Sequence, residues 1–430
     1  MRHDELFLWF LADPAVPRYV GQLRLVDAGK GVSLQYGADW LATGFPLSED
    51  LSLVDIEQLP RWKGMAVGAV DDARPDRWGE RVIQYVDRPA RLSIMEYLFY
   101  AGDDRFGALG VSTSAEAYTP RAQSPLPRLE QAQPLSEIVH KVSAKEPVND
   151  IERKMLAAGG SFGGAKPKAL IDIAGEQWVI KFFNNEPIDV PLIEHASMTL
   201  AALAGITVAE TRVVSLVGEN ALAVRRYDRD GAMRTHCISA GTALRAQTIA
   251  GQEPELGYPS LAQLLRRAGV ADDGLNLLDM QELFRRMVFN ILIDNTDDHE
   301  KNHALQVIAP TRQGRYRLAP AYDVLPTSSG QGYQEFVVGT DQRDSTLVNA
   351  MSQCELFGHS PAHAAAEVVR VIGVIDGWRE HFAASGVTNP DLESLAARID
   401  GEHLLRQRKS FDPAAYAISR TPKRRRRLPR

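Results

Sequence analysis

Halfway along these 430 residues the spacing of the apolar side chains changes, and that change limits the possible folds more than any other feature. Before Tyr227 the apolar residues come in short runs broken by Gly, Asp and Pro, a pattern that predicts strands. The runs are Leu6–Leu11, Tyr19–Leu25, Val32–Tyr36, Ala169–Ile173, Gln177–Phe183, Thr207–Val214 and Ala221–Arg226. Beyond Tyr227 the spacing turns mainly helical. Leu283, Phe284, Met287, Val288, Ile291 and Leu292 share one face of a helix expected over 279–293, and more helices are expected at 360–385 and 391–408. Earlier helices are expected at 78–101, at 135–157, and from Asp189 to Gly205, where Asp caps and Pro191 sits in the first turn. A β-rich half followed by a helical half predicts an α+β chain of two lobes with a cleft between them. The expected division is a β-rich N-terminal subdomain (1–120), a Pro- and Gln-containing linker, an N-lobe (135–228), a helical C-lobe (229–415) and a basic tail (416–430).

With 44% apolar and 24% charged residues, the composition is that of a globular chain. No apolar run approaches the ~18 residues of a membrane span. The start, Met1 to Ala12, reads as a first strand rather than a secretory leader, because acids stand where a leader has basic residues. Two cysteines, Cys237 and Cys354, support neither a disulfide framework nor a thiolate zinc site, so a cytoplasmic protein is expected. Residues 421–430 carry six basic side chains and no acid, on a chain whose net charge is −6. Such a tail either contacts nucleic acid non-specifically or is simply solvated.

The chemistry-bearing stretch is Asn295-Thr-Asp-Asp-His-Glu-Lys-Asn302, followed by Tyr322-Asp-Val-Leu325. An aspartate five residues before an asparagine, with a second aspartate downstream, is the layout that positions a nucleophile and metal-bound phosphates. In that reading Asp297 accepts the proton of an attacking hydroxyl, and Asn302 and Asp323 offer hard oxygens to Mg²⁺. Upstream, the glycines of Ala158 to Lys168, among them Gly163 and Gly164, let backbone N–H groups approach an anion. Lys181 follows on a strand, where it either faces solvent or neutralises phosphates with Glu194 of the next helix as its partner. The same letters also spell His299-Glu300-Lys301-Asn302-His303, the zinc-peptidase pattern, with His359 or His363 as a conceivable third ligand. That alternative requires His299 and His303 on one helical turn, and the preceding Asn-Thr-Asp-Asp is turn sequence.

Taken together, these motifs resemble the HipA family of serine/threonine kinases, the toxin halves of toxin–antitoxin pairs. The resemblance also rests on Tyr19-Val-Gly-Gln-Leu23, Arg74-Pro-Asp-Arg-Trp-Gly79, Gly102-Asp-Asp-Arg-Phe-Gly-Ala-Leu109, Ser161 to Lys168, Trp178-Val-Ile-Lys181 and Val224-Arg-Arg-Tyr-Asp228. It implies a protein-kinase-like fold that uses ATP and Mg²⁺. Asp297 would be the catalytic base, Asn302 and Asp323 the metal ligands, and Lys181 a phosphate contact. Arg225–Tyr227 would form the hinge beside adenine, His299 would line the nucleotide site, and Ser161 would be the site of autophosphorylation. It further implies a protein substrate such as an aminoacyl-tRNA synthetase, and a small helix-turn-helix antitoxin as partner. DNA would be reached only through that antitoxin, since no helix-turn-helix is evident in this chain. An alternative within the resemblance is a catalytically weak binding module acting through an antitoxin–DNA complex.

Overall fold

The computed structural model describes residues 3–159, 166–183, 186–249, 251–311, 314–327 and 332–417. Its first layer is an antiparallel sheet in the order β3-β2-β1-β4, from β1 (Glu5–Phe10), β2 (Arg18–Val26), β3 (Gly31–Tyr36) and β4 (Leu109–Ser112). Alternation along these strands buries Leu6, Leu8, Val20, Leu23, Val32 and Leu34 on one face, over Trp40. Helices Arg77–Val86 and Ile94–Tyr100 lie between β3 and β4 in the chain. The single helix expected over 78–101 is therefore two. Pro89 lacks an amide proton, and Arg88 takes a positive φ of 48° at the break.

The second sheet has the order β5-β6-β8-β7, from β5 (Lys168–Ile173), β6 (Glu176–Lys181), β7 (Thr211–Ser215) and β8 (Asn220–Arg225). Ala174 and Gly175 turn the β5–β6 hairpin at φ 56° and 87°, the left-handed pair that a two-residue hairpin demands. One face of this sheet carries Ala169, Ile171, Trp178, Ile180, Ala221 and Ala223. It packs on helices Ala132–Ser143 and Asp150–Ala157 and on Trp78 and Val82. Here too one expected helix, 135–157, is divided: Pro147 intervenes, and Asn149 starts the second piece by accepting from Ile151 and Glu152 N–H. The opposite face meets helix Val190–Leu203, whose Asp189 cap accepts from Leu192 N–H at 3.2 Å, as expected.

A short ribbon, β9 (Arg229–Asp230) and β10 (Met233–Arg234), leads into the helical half. That half is built around Leu275–Leu292, whose Leu283, Phe284, Met287, Val288, Ile291 and Leu292 are fully buried. Around it stand Tyr258–Ala268, Pro361–Ile375, Trp378–Ala384, Asn389–Ile399 and Glu402–Ser410. Within it lies a three-stranded sheet that helical spacing did not anticipate, in the order β11 (Cys237–Ser239), β12 (Ala304–Thr311), β13 (Gly314–Leu318). The fold is α+β and two-lobed. No helix among the described residues is long and apolar enough to cross a membrane.

Candidate active site

The period of two along β6 places Trp178 and Ile180 in the N-lobe core and turns Lys181 to the opposite face. There its Nζ lies 2.5 Å from Glu194 Oε1 and 2.7 Å from Asp323 Oδ1. Three segments far apart in sequence thus meet at one ammonium. Burial works against that charge, but Asp323 and Glu194 outweigh it and hold Lys181 above its ordinary value. Burial also opposes the charge on Asp323, yet Lys181, then Lys168 and Lys166, hold its carboxyl well below the usual range. For Glu194, 1% exposed, burial wins over Lys181 and raises the carboxyl. Asp323 itself sits at φ 60°, a left-handed conformation uncommon for a side-chain-bearing residue.

Lys168, to which the sequence reading gave no role, stands directly opposite Lys181 in the β5–β6 register. It is 9% exposed and takes part in no ion pair among the described residues. Burial, then the neighbouring Lys181 charge, lowers its pKa. A buried cation beside a second cation is costly unless an anion joins them.

On the other side of the cleft, helix Leu275–Leu292 ends where Asp294 takes φ 61° and Asn295 N–H reaches back to Asn290 O at 2.9 Å. The chain then runs as a loop through 294–303 into β12. Asn302 is mostly buried and its Nδ2 donates to Asp297 O at 3.2 Å, closing the loop on itself, while the Asp297 side chain is exposed. His299 is partly buried, and its Nδ1 accepts from Lys301 N–H at 3.2 Å. Tyr322 Oη donates to Lys301 O at 2.7 Å, which ties the neighbour of Asn302 to the neighbour of Asp323. Tyr322 also stacks on Tyr227 with ring centroids 5.6 Å apart.

At the expected hinge, the Arg225 side chain turns outward to Glu176 and Glu210, and its backbone N–H is taken by Glu210 O at 2.8 Å. Arg226 is buried and pairs with Asp228 through Nε and Nη2, at 2.9 and 2.8 Å. Ser161, Gly163, Gly164 and residues 418–430 of the basic tail lie outside the described residues.

The zinc-peptidase reading fails on this geometry. Residues 299–303 form no helical turn, so the two histidines are not presented together. His303 is buried, with Nε2 2.8 Å from Asp298 Oδ2 and its ring stacked on Phe336; Tyr258 Oη donates to the same carboxylate. Glu300 is engaged by Arg245 at 2.9 Å. Among the described residues no three His, Cys, Asp or Glu side chains are grouped to hold a metal.

The HipA-like C-terminal domain description matches residues 160–378, half of the chain. The chain belongs to the HipA-like family. The chain is 30% identical over 209 residues to the candidate kinase Y4dM of Sinorhizobium fredii, covering 45% of this chain and 46% of that one. It is 26% identical over 193 residues to a candidate kinase of Haemophilus influenzae, covering 40% of this chain and 53% of the relative. The chain thus spans about half the length of these curated relatives. In architecture it is similar to HipA of Shewanella oneidensis MR-1, solved with HipB and operator DNA, at TM-score 0.64 and 17% identity, covering 94% of this chain and 97% of that one.

Proposed function

We propose that this HipA-like protein is an ATP- and Mg²⁺-dependent serine/threonine protein kinase. The observation that carries the reading is the Lys181 junction with Glu194 and Asp323, beside a buried Lys168 that takes part in no ion pair among the described residues. Two adjacent cations facing one carboxylate-lined cleft fit a polyphosphate chain and its metal. Magnesium, when bound, neutralises charge on the phosphate oxygens, and Asn302 and Asp323 are the residues that would hold it. Lys181 and Lys168 bind the phosphates, Glu194 keeps Lys181 in place, and Tyr227 and His299 line the nucleotide site. Because Arg225 and its backbone N–H are engaged elsewhere, its share of the hinge is structural. Asp297, exposed at the loop tip, takes the proton from the substrate hydroxyl as the hydroxyl oxygen bonds to the γ-phosphorus and the bond from that phosphorus to the departing ADP oxygen breaks. Catalysis is then positioning and charge neutralisation.

We further infer that the chain is the cytoplasmic toxin of a toxin–antitoxin pair. Its substrate would be a translation-related protein such as an aminoacyl-tRNA synthetase, and Ser161 a site of autophosphorylation. A small helix-turn-helix antitoxin would be its route to DNA.

The test is phosphotransfer from radiolabelled ATP to itself and to lysate proteins. Mg²⁺-dependent labelling that falls about a hundredfold or more in Asp297→Asn supports the reading. Equal labelling by wild type and variant, or none by either, refutes it. Nucleotide binding without transfer would instead favour the binding module.

A further inference from the structure

A second ion pair crosses the same cleft at its mouth. Lys301, on the loop of the helical lobe, places Nζ 2.6 Å from Asp76 Oδ1. Asp76 belongs to the other wall. It immediately precedes helix Arg77–Val86, whose Trp78 and Val82 are embedded in the N-lobe core with Trp178 and Ile180. Trp78 Nε1 also donates to Lys168 O at 2.7 Å, so the segment bearing Asp76 is fastened to the strand that carries Lys168.

Two observations separate this pair from ordinary surface charge. Asp76 occupies the N-cap of its helix, where an aspartate ordinarily accepts a first-turn N–H, a bond worth about 1 kcal/mol. Here it makes no side-chain cap bond, and its carboxylate is directed to Lys301 instead. Lys301, for its part, is the backbone joint of the loop: its N–H donates to His299, its carbonyl accepts from Tyr322, and Asn302 follows it. Arg74, Glu80 and Lys168 are the other charged groups that act on Asp76 or are acted on by it.

We propose that Asp76 and Lys301 form a clasp that holds the lobes closed over the nucleotide, with Asp76 a positioning residue that acts through Lys301 on the Asn302 loop. The proposal rests on the kinase reading for the identity of the occupant. Since the two side chains are 33% and 42% exposed, the clasp is weak, and losing it opens the cleft about two- to fivefold more often. A weak clasp suits a site that must release its product on every turnover.

The experiment is a double-mutant cycle of Asp76→Asn, Lys301→Met and both together, in the full chain. Asparagine keeps the shape and capping ability of aspartate and removes only its charge. Two readouts are followed: release of a methylanthraniloyl-ATP analogue with Mg²⁺, and amide hydrogen exchange of residues 294–303 in nucleotide-free protein. Each single variant is expected to release the analogue about two- to fivefold faster and to exchange faster in the loop. The double variant should be no faster than the singles, and salt should speed release from wild type more than from the variants. Wild-type release and loop exchange in Asp76→Asn, or additive effects in the double variant, overturn the clasp. Failure of wild type to bind the analogue overturns the kinase reading instead, and the exchange comparison still decides the clasp.

Discussion

His236 gives the chain a pH dependence whose size follows from where the ring sits. It is 3% exposed and packed edge-on to Phe10, with Phe45 beside it, where the N-terminal sheet meets β11. Its Nε2 donates to Leu47 O at 3.1 Å, and the buried Nδ1 has no hydrogen-bond partner among the described residues. Burial, reinforced by the nearby Arg315 charge and only partly offset by the Leu47 carbonyl, pushes its pKa down to about 4. In the unfolded chain it returns to about 6.5. Between those values the unfolded state binds a proton that the folded state refuses, so stability is intact above pH 6.5 and is lost as the pH falls toward 4. At about 1.4 kcal/mol per unit, the loss is about 2 kcal/mol at pH 5 and about 3 kcal/mol at pH 4. The perturbation is His236→Gln, whose amide can still donate to Leu47 O and does not titrate. Urea unfolding followed by tryptophan fluorescence, to which Trp40 of the same aromatic cluster contributes, is measured at pH 7.5, 6 and 5 for both proteins. Subtracting the two curves removes every titration they share. The wild type is expected to lose about 2 kcal/mol more than the variant between pH 7.5 and 5. Parallel losses would refute the claim that this ring is buried neutral.

Two further outcomes concern the cations of the cleft. Lys168→Met removes a buried charge that makes no ion pair among the described residues, so the thermal midpoint should rise or hold while affinity for Mg²⁺·ATP falls at least about tenfold; scanning calorimetry and calorimetric titration read both. Lys181→Met strands Glu194 in the interior and should cost about 3–5 kcal/mol of stability as well as nucleotide binding. Adding Glu194→Gln should recover part of the stability, measured by urea unfolding, and none of the binding.

Much of the cleft was legible in the sequence because its parts lie on elements that announce themselves locally. The hairpin turn at Gly175 and the alternation before it place Lys181 on a strand, and Asp189 with Pro191 opens the helix that carries Glu194. Their meeting was one of two readings the sequence left open, because nothing local states which strand face a helix covers. Lys168 was missed although a signal existed. A two-residue turn at Ala174 and Gly175 pairs Ile173 with Glu176, and counting back five residues sets Lys168 against Lys181. The zinc pattern, the weaker alternative in the sequence, fails for the opposite reason: adjacent letters imitated a site, while the partner His303 uses is Asp298, five residues earlier in the same loop. The sheet β11-β12-β13 was hidden because β11 has only three residues and is separated from β12 and β13 by helices Ala240–Gln247, Tyr258–Ala268 and Leu275–Leu292. Asp76 and Lys301 lie 225 residues apart, a pairing only the fold can reveal.

The two ends of the cleft differ in strength, and that difference bears on how it works. At the hinge, Asp228 is buried between Arg226 and Arg229 and accepts Gly107 N–H at 2.8 Å, while Arg226 donates to the carbonyls of Asp104 and Arg105. Burial opposes the Asp228 charge, but the two guanidiniums hold its carboxyl down to about 2. Removing one member of such a buried set costs several times what an exposed pair is worth. At the mouth, Asp76 and Lys301 are both partly exposed. A lobe movement will therefore pivot where bonds are strong and part where they are weak. The Gly102–Leu109 segment holds Arg226 and Asp228, so on the proposed kinase reading the N-terminal subdomain would set the axis about which a nucleotide site opens, and Asp76 how readily it does so.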